Sequence, residues 1–231
     1  GVYYPDDVCG DALAFVQAIA ARARQAGAGI RLGARVRRIC LSRGRVSGVE
    51  LEGGEVLPAG AVVVATGVAA PGLTRRLGVR LPIKPAKGYS VTVGTDGWAS
   101  RPRLPVIDDA MHAAVVPLGD ALRFVGTAEF AGFDRTIEPA RVENLFRLFA
   151  RLFPHLEPRA DRARAVAWAG LRPMSADGLP FIGAAGPDGL WINAGHGHLG
   201  WTMAAGSAEL LADLMLGAAP SVDPRPYRAD R

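Results

Sequence analysis

Gly170-Leu171-Arg172-Pro173-Met174-Ser175-Ala176-Asp177-Gly178-Leu179-Pro180 and, shortly after it, Asn193-Ala194-Gly195-His196-Gly197-His198-Leu199-Gly200-Trp201-Thr202-Met203 are the two runs whose reading decides the fold. Between them Leu190-Trp191-Ile192 reads as a buried strand, and from about Trp201 to Leu216 apolar residues recur at helical spacing. A strand that delivers a glycine-rich turn into a helix start presents unpaired backbone N–H groups and a positive dipole end to an anionic group. Gly195, Gly197 and Gly200 would let backbone lie against a flat ligand, because no Cβ intervenes. The plainer alternative is a tight turn whose glycines serve dihedral needs alone. This string is not the pyrophosphate loop of a dinucleotide site. That loop follows the first strand of a βαβ unit, with an acidic residue about 20 positions further on.

Working outward, composition sets the class. The 231 residues are 49% hydrophobic and 21% charged, enough for a sizeable core in one large domain or two small lobes. The net charge of +5 and the pI near 9.8 prompt a search for nucleic-acid surfaces. The basic residues are spread along the chain, and only Lys84 and Lys87 are lysines. The densest clusters, Arg35 to Arg38 and Arg159 to Arg164, are short and lack interleaved aromatics, so solvated faces are expected and no nucleic-acid partner. Peripheral contact with an acidic membrane stays open. Cys9 and Cys40 form no CxxC, the four histidines are scattered without a carboxylate pair at ligand spacing, and no nucleophile elbow occurs. Free thiols, no metal site and no serine-hydrolase chemistry are therefore expected. No apolar run reaches the roughly 20 residues that span a bilayer. The expected location is the cytoplasm or the inner face of its membrane.

In chain order, Asp11 to Gln25 reads as a surface helix, with Gly27 as its stop. Ile30 to Leu32, Val36 to Leu41 and Val46 to Leu51 read as short strands. Ala61-Val62-Val63-Val64-Ala65-Thr66-Gly67 has the pattern of a strand buried on both faces in a parallel sheet, and Ala69 to Leu77 reads as a helix. Ligands in such sheets collect at the carboxyl ends of strands, which singles out Ala65, Thr66 and Gly67. From Leu81 the pattern alternates, in Tyr89 to Val93, Ala113 to Pro117 and Leu122 to Val125, which predicts an antiparallel sheet. Pro139 to Phe153 is an amphipathic helix closed by Pro154. Ala165 to Arg172 leads back, with Trp168 expected in the core.

The motif set Gly170-Leu171-Arg172-Pro173-Met174, Asp177-Gly178-Leu179-Pro180, Asn193 to Gly197 and Leu199 to Met203 resembles the C-terminal signature of the FAD-dependent D-amino-acid dehydrogenases, in the D-amino-acid oxidase, glycine oxidase and sarcosine oxidase superfamily. Lys87-Gly88-Tyr89-Ser90 and Gly126 to Phe133 resemble the same family in the same order, so the resemblance covers essentially the whole chain. The implied fold class is mixed α/β: the C-terminal part of a two-lobed FAD-dependent amine oxidoreductase. Residues 1–82 and 165–231 would form part of the FAD lobe, and residues 83–164 an antiparallel-sheet substrate lobe. The family's opening strand and GxGxxG turn are not among these residues, and a missing N-terminal half is expected.

The resemblance implies that FAD meets the backbone of Val36, the Ala65-Thr66-Gly67 turn, and Gly195, His196, Gly197, His198, Leu199, Gly200, Trp201 and Thr202. Read from chemistry alone, Val36 is a core strand residue, and each histidine a packing or hydrogen-bonding group. Arg172 suits a substrate carboxylate, because a planar guanidinium can grip it through two parallel hydrogen bonds. The plainer alternative is an ion pair with Asp177. Tyr89 and Trp201 are candidate pocket linings. The expected reaction is oxidative deamination of D-amino acids by hydride transfer from Cα to flavin N5, with no obligatory protein base. Glycine- or sarcosine-type amine oxidation and a non-catalytic substrate-domain module are the alternatives. The electron acceptor stays open, with a quinone or the respiratory chain as candidates.

Overall fold

The computed structural model describes residues 1–231. In chain order the elements are α1 (Ala12–Gln25), β1 (Val36–Ser42), β2 (Arg45–Leu51), β3 (Val56–Pro58), β4 (Val62–Val64), α2 (Ala70–Thr74), β5 (Ile83–Gly94) and β6 (Val106–Asp108). They continue with β7 (Ala113–Leu118), β8 (Ala121–Glu129), α3 (Pro139–Leu152), β9 (Val166–Ser175), β10 (Phe181–Ala184), β11 (Leu190–Ala194) and α4 (Gly200–Leu216). The chain forms two compact units: Gly1–Ile30 with Lys87–Leu171, and Arg31–Ala86 with Arg172–Arg231. It passes between them after Ile30, inside β5 and inside β9, whereas the sequence pattern sets the lobe boundaries at residues 82/83 and 164/165. Residues 1–30 group with the antiparallel sheet.

That sheet has the order β6-β7-β8-β5-β9. Period-two burial along β8, with Leu122, Phe124 and Gly126 inward, and along β7, with Ala113 and Val115 inward, gives it one apolar face. α3 covers this face because its apolar residues recur at helical spacing, burying Leu145, Phe146, Leu148 and Phe149. Phe149 stacks on Phe124 with ring centroids 4.5 Å apart, and Phe146 meets the same ring edge-on at 5.8 Å. Tyr89, Val91 and Val93 of β5 complete this core. Trp168, expected inside, is exposed. Its ring lies along its own strand in the space that a Cβ on Gly170 would occupy.

The second unit holds two three-stranded sheets, β1-β2-β3 and β10-β11-β4. In the latter β10 runs antiparallel to β11, and β4 runs parallel to it in the register Leu190↔Val62, Trp191↔Val63 and Ile192↔Val64. Val64, Ala70, Leu81, Ile83, Phe181, Leu190 and Ile192 form its main core, and Leu210 and Leu211 of α4 pack with Ile182.

Three expectations are corrected. The apolar run from Ala61 is strand only over Val62–Val64 and sits at a sheet edge with Val63 exposed, so it is parallel but not covered on both faces. Ile30 to Leu32 forms no strand. Residues 67–77 are a short α-helix, Ala70–Thr74, between two 3-10 turns, with Pro71 in the helix's first turn, where its missing N–H costs no intrahelical bond.

α1 is capped by Asp11, whose carboxylate accepts from the N–H groups of Leu13 and Ala14, yet none of its residues is buried. Leu13, Val16 and Ile19 are exposed on it, as is Val63 at the β4 edge. Apolar stripes and open strand edges of this kind favour association. Sedimentation of the purified chain should show concentration-dependent oligomers, and a monomer at all concentrations would contradict this. In the sheet unit, Phe149→Ala should cost about 3–5 kcal/mol by denaturant unfolding. Phe130→Ala, at an exposed ring, should cost under about 0.5 kcal/mol.

Candidate active site

Because β4 and β11 are parallel, their carboxyl ends lie at the same edge of the sheet. Ala65, Thr66 and Gly67 leave β4 there, and Gly195 to Leu199 leave β11. The end of β9 is tied to the second turn: Gly197 N–H donates to the Pro173 carbonyl at 2.9 Å, and Met174 pairs with His196 in an isolated antiparallel bridge. Pro173 also borders the first turn, lying 3.9 Å from where a Gly67 Cβ would stand. Arg172, Pro173 and Met174 thus enter the same end of the unit as the two turns. The sequence singled out the turns and Arg172, but not Pro173 and Met174 as the residues joining them. Their signal was membership of the Gly170 to Met174 motif itself.

Gly195 and Gly197 have φ of +86° and +58°, the left-handed region that favours glycine. A Cβ at Gly195 would come within 3.2 Å of Ile83 Cδ1 and Phe181 Cδ2, and one at Gly197 within 3.3 Å of Met174 Sδ. Protein side chains therefore border the space left by these glycines, so dihedral need and internal packing account for them. The N–H of Gly197 is committed to Pro173 and that of Leu199 to the His196 carbonyl, at 3.2 Å. The donors that suit an anionic edge belong to the first turn of α4. Its N-cap, Leu199, makes no side-chain capping bond, and no acidic residue follows in the first turn. Ala65, Thr66, His198, Leu199, Trp201 and Thr202 are exposed.

His196 has a different task. Its Nε2 lies 3.0 Å from Ser207 Oγ on α4, tying the turn to the helix it feeds. Burial lowers its pKa, which keeps the ring neutral at neutral pH. Arg172 is half-buried, and desolvation lowers its pKa from the ordinary arginine value. The carboxylate of Asp177 is held by Arg231, whose Nε reaches Oδ2 at 2.8 Å and whose Nη2 reaches Oδ1 at 3.1 Å. An arginine 54 residues away was not foreseen as the partner of Asp177.

Two expected residues stand elsewhere. Val36 opens β1 in the other sheet, paired with Leu51, and the preceding Gly33, Ala34 and Arg35 line a cavity of about 340 Å³. Tyr89 is 2% exposed in the core of the sheet unit, and its hydroxyl donates to Glu129 Oε2 at 2.9 Å, leaving no free surface for a substrate. Beside it the buried Lys87 donates to Asp134 Oδ2 at 2.9 Å and to the Thr136 carbonyl at 3.1 Å. The bond to Asp134 raises the Lys87 pKa, so it stays protonated and ties the loop after β8 to β5. A lysine inside an apolar alternating run is the sequence signal for such a pair. No group of three or more His, Cys, Asp or Glu side chains is arranged to hold a metal ion. No helix is long and apolar enough to cross a membrane.

A family model described as FAD dependent oxidoreductase (DAO) matches residues 1–214. The chain is 44% identical over 222 residues to a D-amino acid dehydrogenase of Methylobacterium nodulans, covering 96% of this chain and 52% of the relative. It is likewise 44% identical over 223 residues to one from Cereibacter sphaeroides, covering 96% and 50%. The chain spans about half the length of these curated relatives. A glycine oxidase structure from Geobacillus kaustophilus superposes with a TM-score of 0.83 at 30% identity, over 93% of this chain and 56% of that one. The L-proline dehydrogenase of P. horikoshii shares the fold, with a TM-score of 0.81 at 22% identity over 94% and 58%. With the family's match running through both units, the chain belongs to the DAO family of FAD-dependent oxidoreductases.

Proposed function

We propose that this chain is the C-terminal part of an FAD-dependent D-amino-acid dehydrogenase, contributing the flavin-edge and carboxylate contacts of its active site. The observation that carries this reading is the convergence of the β4 and β11 carboxyl ends with Pro173 and Met174, directly after Arg172. FAD, when bound, supplies the acceptor for a hydride from the substrate Cα. The first turn of α4 would hold the flavin's electron-rich edge with backbone donors and the positive end of the helix dipole. Arg172 grips the substrate carboxylate and fixes which face of Cα is presented. Loss of the hydride leaves an imino acid, which water converts to a 2-oxo acid and ammonia. The neutral amine needs no dedicated protein base, and His196, neutral and bonded to Ser207, holds the turn in place.

The glycine oxidase likeness, with its TM-score of 0.83, favours a second reading in which a small amine is oxidised with dioxygen as acceptor. Substrate-dependent dioxygen consumption, against reduction of an artificial quinone under anaerobic conditions, separates the two.

Because the family's opening strand and GxGxxG turn are not among these residues, we expect that the 231-residue chain does not retain FAD. It should leave a desalting column without flavin absorbance and gain it only with the remaining portion carried by its relatives. A yellow, stoichiometric flavoprotein from this chain alone would contradict that.

In the completed enzyme, Arg172→Ala should remove a charge-assisted pair worth on the order of 2–5 kcal/mol, about 30- to several-thousand-fold in kcat/KM. Arg172→Lys, which keeps the charge and loses the fork, should fall between. D-Amino acids should lose much more than amines lacking a carboxylate. Equal losses for both, at unchanged flavin content, would assign Arg172 to structure or cofactor.

A further inference from the structure

The turn Asp177-Gly178-Leu179-Pro180 joins the Arg172-bearing end of β9 to β10, and a distant cation is seated in it. Arg231 uses all five guanidinium donors there. Nε donates to Asp177 Oδ2 at 2.8 Å; Nη2 donates to Asp177 Oδ1 at 3.1 Å and to the Leu179 carbonyl at 2.8 Å; Nη1 donates to the carbonyls of Pro180 at 3.2 Å and Arg228 at 2.9 Å. The same guanidinium lies 3.9 Å from the Phe181 ring centroid. Its side chain is 16% exposed, whereas Arg225 and Arg228, each paired with an aspartate two residues away, are 83% and 61% exposed.

Most of this acceptor set belongs to the turn. Asp177 is pre-shaped by accepting from Leu179 N–H at 3.1 Å, and two main-chain carbonyls and an aromatic face complete a socket that matches a planar cation. Between Pro224 and Asp230 the tail borders a cavity of about 750 Å³, with Tyr227 and Ala229 as its packing residues, so Arg231 is the point where it is fixed. On its other side the β9 end is held by the Gly197 to Pro173 bond. Arg172 therefore precedes a segment pinned at both ends, once at the flavin-side turn and once at Asp177.

We propose that the 177–181 turn is a guanidinium-binding site, filled from within the chain by Arg231, and that its occupancy positions the Arg172 segment for the substrate carboxylate. The second half rests on the function proposed above, and the first does not. The bond from Arg231 holds the Asp177 carboxyl at about 2. The pair's contribution to stability is thus present above the ordinary carboxylate range and is lost as pH falls through about 2.

Arg231→Ala empties the site, and ethylguanidinium serves as the probe, with ethylammonium as control. In the 231-residue chain, NMR should show the Asp177 carboxyl of Arg231→Ala titrating back in the ordinary range. Millimolar ethylguanidinium should lower it again and shift the Phe181 ring signals. The wild-type chain and the Arg231→Ala/Asp177→Asn variant should not respond. Absence of a response in Arg231→Ala, or an equal response to ethylammonium, overturns the site. In the completed enzyme, Arg231→Ala should raise KM for D-amino acids by about 3- to 30-fold with kcat nearly unchanged, and ethylguanidinium should restore it. Restored binding without any change in KM overturns the positioning role. If Arg172 proves structural instead, the NMR titration still decides whether the guanidinium site exists.

Discussion

The parallel hydrogen bonding of β4 to β11 is the constraint on which the candidate site depends. Three residue pairs, Leu190 with Val62, Trp191 with Val63 and Ile192 with Val64, set the direction of two strands that are more than 120 positions apart in sequence. Parallel strands end at the same edge of a sheet, so two turns that differ in composition, Thr66-Gly67 and Gly195 to Leu199, become neighbours. An antiparallel pairing would have sent them to opposite ends. Pro173 and Met174 then bond or pack against both turns, and the helix that follows starts with its N–H groups beside them.

Elements whose signal is local were legible in the sequence. The helix ending at Gln25 begins after an aspartate cap, the helix from Pro139 carries its apolar face at helical spacing, and the strand into Gly195 is a short apolar run before glycines. What failed were statements about neighbours. A run such as Val62-Val63-Val64 shows that a strand is apolar but not how many strands flank it, and this one is flanked on one side only. Trp168 was expected inside because it is large and apolar. The glycine two residues on instead gives its ring a resting place along the strand, outside the core. The candidate site was singled out only through the motif set as a whole, since Arg172, the 65–67 turn and the 195–202 turn each have a plainer reading in isolation.

Two enclosed cations do similar work in different units. Lys87 sits within an apolar strand, and Arg231 within a polar turn. Lys87 gives its donors to Asp134 and the Thr136 carbonyl with Glu129 3.7 Å away, and Arg231 gives its donors to Asp177 and main-chain carbonyls. Removing such a charge from water is costly unless nearly every donor finds an acceptor. That requirement explains the carbonyls around each of them. It also makes these pairs geometrically exacting, so each fixes a loop at a defined place rather than adding general adhesion.

The remaining basic residues show why a pI near 9.8 does not by itself indicate a polyanion partner. Arg31 pairs with Glu55, Arg38 with Glu50, Arg162 with Glu143 and Glu157, Arg225 with Asp223, and Arg228 with Asp230. Apart from the buried Glu50, these groups are largely solvent-exposed and contribute little each to stability, yet they cancel much of the positive field close to the surface. Arg172 differs from them in its surroundings. It is half-buried on a strand whose end bonds to the turn that feeds the α4 N-terminus. A guanidinium with reduced hydration, at that end of the unit, is better suited to grip an anionic group of a small molecule than to decorate a solvated face.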